Sequence, residues 1–86
     1  MNIDLRRLEK LIEQEKERLE WQKRREQRLK DLEVMQGLED YERIELENLR
    51  EIIEDREHIL EALRFLKENI EHELRMNVIE QELEKF

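Results

Sequence analysis

From Leu5 onward, apolar residues return every three or four positions, the spacing that lines one side of an α-helix, and no stretch alternates with the two-residue period of a strand. In the first half Leu5, Leu8, Ile12 and Leu19 make such a line, and the same register continues through Glu15, Gln22 and Glu26 before Leu29 restores it. Leu32 and Met35 finish this arm. Gly37 is the only glycine in a chain without proline, and it marks the point where one helix stops and the chain turns back. The pattern predicts a first helix over about residues 3–36, a turn over about 37–40, and a second helix over about 41–85. Asn2 is the expected cap of the first helix and Asp40 of the second, with Glu42 and Glu45 well placed in its first turn. A Schellman turn at Gly37 and Leu38 would pack Leu38 back on Leu32 or Glu33. The alternative, one continuous helix through Gly37, would be disfavoured by only about 1 kcal/mol.

The second arm is richer. Leu49, Leu63 and Ile70 share one heptad position, Ile52, Ile59 and Leu66 a second, and Leu46, Ile53, Leu60 and Leu74 an adjoining one. A stripe three positions wide faces more than one partner, because a two-helix seam uses only two of the seven positions. The fold class expected is therefore all-α: one domain, an antiparallel two-helix hairpin that dimerises into a four-helix bundle. Leu46, Ile53, Leu60 and Leu74 are the expected dimer face. Residues 75–86 should overhang the shorter first arm, and Met76, Ile79, Leu83 and Phe86 continue the interface or meet another protein there.

Composition sharpens this picture. Charged residues make up 49% of the chain and apolar ones 37%, the balance of long helices and coiled coils. A formal net charge of -8 with four aromatic residues leans towards disorder, but disordered chains have no need of helical apolar spacing. Charge also sets the register. Residues 16–30 carry seven bases against three acids and residues 39–61 ten acids against three bases, so folding back sets opposite signs side by side, residue i near residue 76 minus i. Arg56 then faces Gln22, with Glu15 and Glu26 one turn either way, a polar layer that fixes register or oligomer state at some loss of stability.

Candidate chemistry is sparse. His58 and His72 are fourteen positions apart, about 21 Å along a helix, and cannot share one metal within a chain. The chain has neither serine nor threonine nor cysteine, and lacks a phosphate-cradling glycine loop. Its many carboxylates lack the enclosed setting that shifts acidity for general acid or base work. No enzymatic activity, metal or cofactor is expected. Apolar runs never exceed two residues, as in Ile52-Ile53, which argues against a membrane span and a secretory leader and makes the cytoplasm the expected location. Lys23, Arg24 and Arg25 beside Trp21 look like a basic patch for nucleic acid, but the second arm would neutralise them and the acidic chain would repel a polyanion. Trp21 and Phe65 each lie about 200° around the helix from a seam leucine and are candidate anchors for a protein partner.

The expected function is that of a non-enzymatic protein–protein interaction or structural coiled-coil module, partnered by itself and by another protein. The alternative is a small acidic inhibitor, of the kind phages and mobile elements encode, that fills a basic groove of a nuclease or polymerase.

Overall fold

The computed structural model describes residues 4–84, which form two helices, α1 (Leu5–Gln36) and α2 (Asp40–Glu84), folded into an antiparallel hairpin. Asn2 and Phe86 lie outside the described residues. The cap of α1 is Asp4, not Asn2: its side chain accepts a hydrogen bond from the Arg6 backbone N–H at 3.0 Å, and its carbonyl accepts from the Leu8 N–H at 3.1 Å. An aspartate at this point satisfies a backbone donor that no preceding turn could satisfy, and its charge suits the positive end of the helix dipole.

α1 ends at Gly37. The Gly37 N–H bonds to the Glu33 carbonyl at 3.2 Å, and the residue then leaves the helix at φ 81°, ψ 165°. This is an extended conformation of positive φ, open in practice only to glycine, rather than the left-handed helical conformation of the expected Schellman turn. The consequence is a wider turn. Leu38 is carried inward and buried on Leu29, Leu46 and Leu49, with Leu32 beside them.

The second cap also differs by one residue. Glu39, not Asp40, occupies the cap position: its carbonyl accepts the first helical bonds from Glu42 and Arg43, and its N–H donates to Glu42 Oε1 at 3.0 Å. That return bond from the third helical residue is one half of a capping box.

The seam of α2 runs through Leu46, Leu49, Ile53, Arg56, Leu60, Leu63, Lys67 and Ile70, in unbroken three and four steps. On α1 it meets Leu8, Ile12, Glu15, Leu19, Gln22, Glu26 and Leu29. Two apolar clusters result. Leu8, Ile12, Leu19, Ile53 and Leu60 are buried together with Leu63 and Ile70 against them, and Leu29, Leu38, Leu46 and Leu49 form a second cluster at the turn. Gln22 and Glu26 fall between the two, so the polar middle of α1 divides the core. Met35 stands outside both and is exposed.

Leu46, Ile53 and Leu60 are therefore buried inside the hairpin and do not form its outer face as the sequence suggests. Two equally regular seams share Leu49, Arg56, Leu63 and Ile70, one completed by Leu46, Ile53 and Leu60 and the other by Ile52, Ile59 and Leu66. Rotation of α2 at the turn decides between them. Leu46 reaches the Leu29 and Leu38 cluster, whereas the other seam would put Glu45 there. Leu66 accordingly stays outside the cluster around Leu8, which takes Leu63 and Ile70 instead.

Cross-hairpin ion pairs join Arg25 to Glu45, Lys23 to Glu57, Arg56 to Glu15 and Lys67 to Glu9. Their residue numbers add to between 70 and 80, which centres the register near 75. Lys67 and Ile70 make the last described contacts towards the start of α1, and every residue from His72 to Glu84 is exposed. With 45 residues against 32, α2 projects past α1, and the molecule is a rod of 73 × 20 × 15 Å.

Candidate functional site

Each helix presents a seven-residue column on either side of its seam, and the two flanks of the hairpin differ sharply. One flank carries Glu9, Lys16, Lys23 and Lys30 from α1 and Arg50, Glu57, Arg64 and Glu71 from α2. All are charged. Lys23 Nζ lies 3.1 Å from Glu57 Oε1 across a groove whose floor is Leu19 and Leu60 and whose rims carry Lys16, Glu20, Glu61 and Arg64.

The other flank carries Leu11, Arg18, Arg25 and Leu32 from α1, and Glu45, Ile52, Ile59 and Leu66 from α2. Near the turn Arg25 clamps Glu45 with two parallel hydrogen bonds, Nε to Oε1 at 2.7 Å and Nη2 to Oε2 at 3.0 Å. This bidentate fit holds the Glu45 carboxyl below its usual range and the Arg25 guanidinium above its own, the hydrogen bond being the main cause in both. Beyond the clamp the flank turns apolar. Leu11 is 49% exposed, Ile52 39%, Ile59 49% and Leu66 36%, with Ala62 between the last two. Four exposed apolar side chains gathered on one flank of a highly charged rod, with Arg18 among them, make this the most apolar side of the paired region.

Trp21 stands on the column next to Arg18 and Arg25, at the edge of this same flank, and is 66% exposed. Arg24, Arg25 and Arg28, three, four and seven residues on, line a shallow cleft with it on one side. On its other side a cleft of about 410 Å³ is bounded by Glu17, Arg18, Gln22 and Arg56. Arg56 reaches this region across the seam from α2, where its Nη1 donates to Glu15 Oε2 at 2.8 Å. Its Nε, like Gln22 Oε1, is buried without a hydrogen-bond partner among the described residues. Glu15 and Arg56 thus meet in the polar layer expected from the sequence, with Gln22 bordering the cleft at one side. Glu26 is instead tied to Lys30 on its own helix, at 3.2 Å.

The remaining sequence candidates are scattered. Phe65 is exposed on the outer face of α2, away from Trp21, in the same column as His58 and His72. His58 Nε2 lies 3.9 Å from Glu54 Oε1 one turn earlier. Among the described residues no three His, Cys, Asp or Glu side chains gather in a way that could hold a metal ion, and no helix is long and apolar enough to cross a membrane. On the overhang Leu74, Met76, Ile79 and Leu83 are exposed, and Leu74 and Ile79 share an apolar groove with Val78 and the stem of Arg75. Phe86 lies outside the described residues.

Sequence reasoning passed over Leu11 and Val78. Leu11 adjoins Ile12, and the spacing that places Ile12 in the seam leaves Leu11 as the spare residue of that turn. Val34, Tyr41 and Ile44 near the turn are likewise exposed without having been singled out.

In comparisons with protein-family models, with curated proteins and with solved structures, nothing matches this chain.

Proposed function

We propose that this chain is a non-enzymatic interaction module that works as a homodimer, two hairpins closing into a four-helix bundle over the flank of Leu11, Ile52, Ile59 and Leu66. One observation carries the reading: Ile52, Ile59 and Leu66 recur along one edge of α2 and Leu11 joins them from α1, all exposed and interrupted only by Arg18, while the columns of the opposite flank are wholly charged. A strip of this kind gains by burial, about 25 cal/mol for each Å² removed from water, and a partner of like pattern excludes water along its whole length. The overhang of α2 extends the surface, with Leu74, Met76, Ile79 and Leu83 as further contacts for the bundle or for another protein. No step of the reading requires a cofactor, and the cytoplasm remains its expected setting.

A second reading draws on a different face. Asp40, Glu47, Glu54, Glu61 and Glu68 stand at seven-residue spacing, an exposed row of carboxylates on α2 that a basic groove of a nuclease or polymerase would accept. Oligonucleotide that competes with a captured partner would favour it over the first.

Sedimentation equilibrium tests the first reading directly. A homodimer gives twice the chain mass of 10.9 kDa, with helicity retained on dilution to the point of dissociation. A species that holds the single-chain mass at all accessible concentrations contradicts the proposal.

A further inference from the structure

We infer that the second copy is placed by a two-fold axis running along the rod, so that α1 of each chain lies against α2 of the other and Asp55 of one chain meets Arg18 in the Trp21 cleft of the other. The inference rests on the homodimer reading and adds the geometry of its interface.

The paired part of the hairpin is about 48 Å long, from the 32 residues of α1, and 20 Å across. Its face amounts to roughly 900 Å², close to the ~800 Å² per partner of a standard stable interface. Area therefore permits a second copy, and charge selects its orientation. Two closed two-folds bring the apolar flanks together. An axis across the rod would lay α1 on α1 and α2 on α2, setting residues 16–30, with seven bases and three acids, against themselves, and residues 39–61, with ten acids and three bases, against themselves. An axis along the rod lays basic α1 on acidic α2 twice over. The second arrangement is the attractive one.

Rotation about an axis along the rod leaves heights unchanged, so the register near 75 found inside the hairpin also holds between chains. Trp21 then comes level with residues 52–55 of the partner's α2. Ile52 supplies apolar surface for the indole. Asp55 stands in the adjoining column, which runs Tyr41, Asn48, Asp55, Ala62, Asn69, Met76 and Leu83 and in which it is the one charged residue. Its level corresponds to residue 20 of α1, between Arg18 and Trp21.

The receiving cleft has room for a carboxylate: Arg18 and Arg56 outnumber its one acid, Glu17, and Arg18 is held only by an exposed contact with Glu15 at 3.3 Å, one turn away on the same helix. Glu15 is already held by Arg56 at 2.8 Å, so Arg18 can turn to an incoming acid without leaving Glu15 unpaired. Asp55 makes no ion pair within its own chain among the described pairs, and its partner in the bundle is this arginine.

The chain has no cysteine, so single cysteines report proximity cleanly. Arg18→Cys and Asp55→Cys chains, mixed and mildly oxidised, should give the mixed disulfide as the main linked product. Predominant self-linked products, or dimers that stay unlinked, overturn the proposed geometry while leaving the homodimer standing. In parallel, Asp55→Arg should raise the dimer Kd at least about tenfold, and adding Arg18→Asp in the same chain should restore it. An unchanged Kd, or one that the second substitution fails to restore, likewise overturns the geometry. Wild-type chain that sediments as a monomer overturns both the geometry and the homodimer.

Discussion

Arg56 Nη1 lies 2.8 Å from Glu15 Oε2, linking side chains forty-one positions apart across the middle of a leucine seam. Both groups are mostly shielded, and each sits where the three and four spacing calls for an apolar residue. Such a pair gives up hydration for one good contact. Its value lies in register, since sliding α2 by one turn would bury the guanidinium against Ile12 or Leu19.

Arg56→Leu alone should destabilise the fold by about 1–2 kcal/mol, because the shielded Glu15 carboxylate loses its 2.8 Å contact and keeps only the longer, exposed one to Arg18 at 3.3 Å. Glu15→Leu with Arg56→Leu should recover that loss or exceed it by rebuilding a continuous seam. Urea denaturation of the three chains reads the outcome. A double variant less stable than the native chain would show that the pair stabilises the fold beyond what apolar packing supplies.

Gly37→Ala isolates the turn. A Cβ at this residue would meet nothing within 4 Å, so the penalty is one of backbone conformation, positive φ, and not of collision. A loss of about 1–2 kcal/mol is expected in thermal or urea unfolding, with helicity unchanged. Unaltered stability would mean that the turn tolerates a different path.

Acid should weaken the clamp between Arg25 and Glu45. The Glu45 carboxyl is held below its ordinary range in the folded chain, so its contribution is complete above the unfolded carboxylate pKa and disappears as pH falls through the folded value. Compared with the native chain, Glu45→Gln should therefore lose less stability as the pH is lowered from neutral through the carboxylate range. Parallel stability curves for the two chains would remove this contribution from the account.

Much of the fold is legible in the sequence, and the limit of that legibility is physical. The solitary Gly37 and the opposed charge of residues 16–30 and 39–61 lead to the hairpin and to a register within a residue or so of the observed centre near 75. The caps shift because Asp4 and the Glu39–Glu42 exchange compete with Asn2 and Asp40 on nearly equal local terms. The rotation of α2 is the larger miss. Leu46, Ile53 and Leu60 fit the seam as regularly as Ile52, Ile59 and Leu66, and periodicity alone cannot separate them. What separates them is the packing at the turn, where Leu46 is buried with Leu38 and Leu29 and the other column is left outward. The surplus face foreseen for α2 thus exists, on the other side of the shared Leu49, Leu63 and Ile70 column from where periodicity placed it.

Ile59→Glu tests whether that face joins two copies more directly than any other change. Ile59 is half exposed in the hairpin, so a carboxylate there remains hydrated in a monomer but would be buried in the bundle. Sedimentation equilibrium should show a helical single chain for the variant where the native chain gives the doubled mass. Equal masses for the two chains at every concentration would contradict the account.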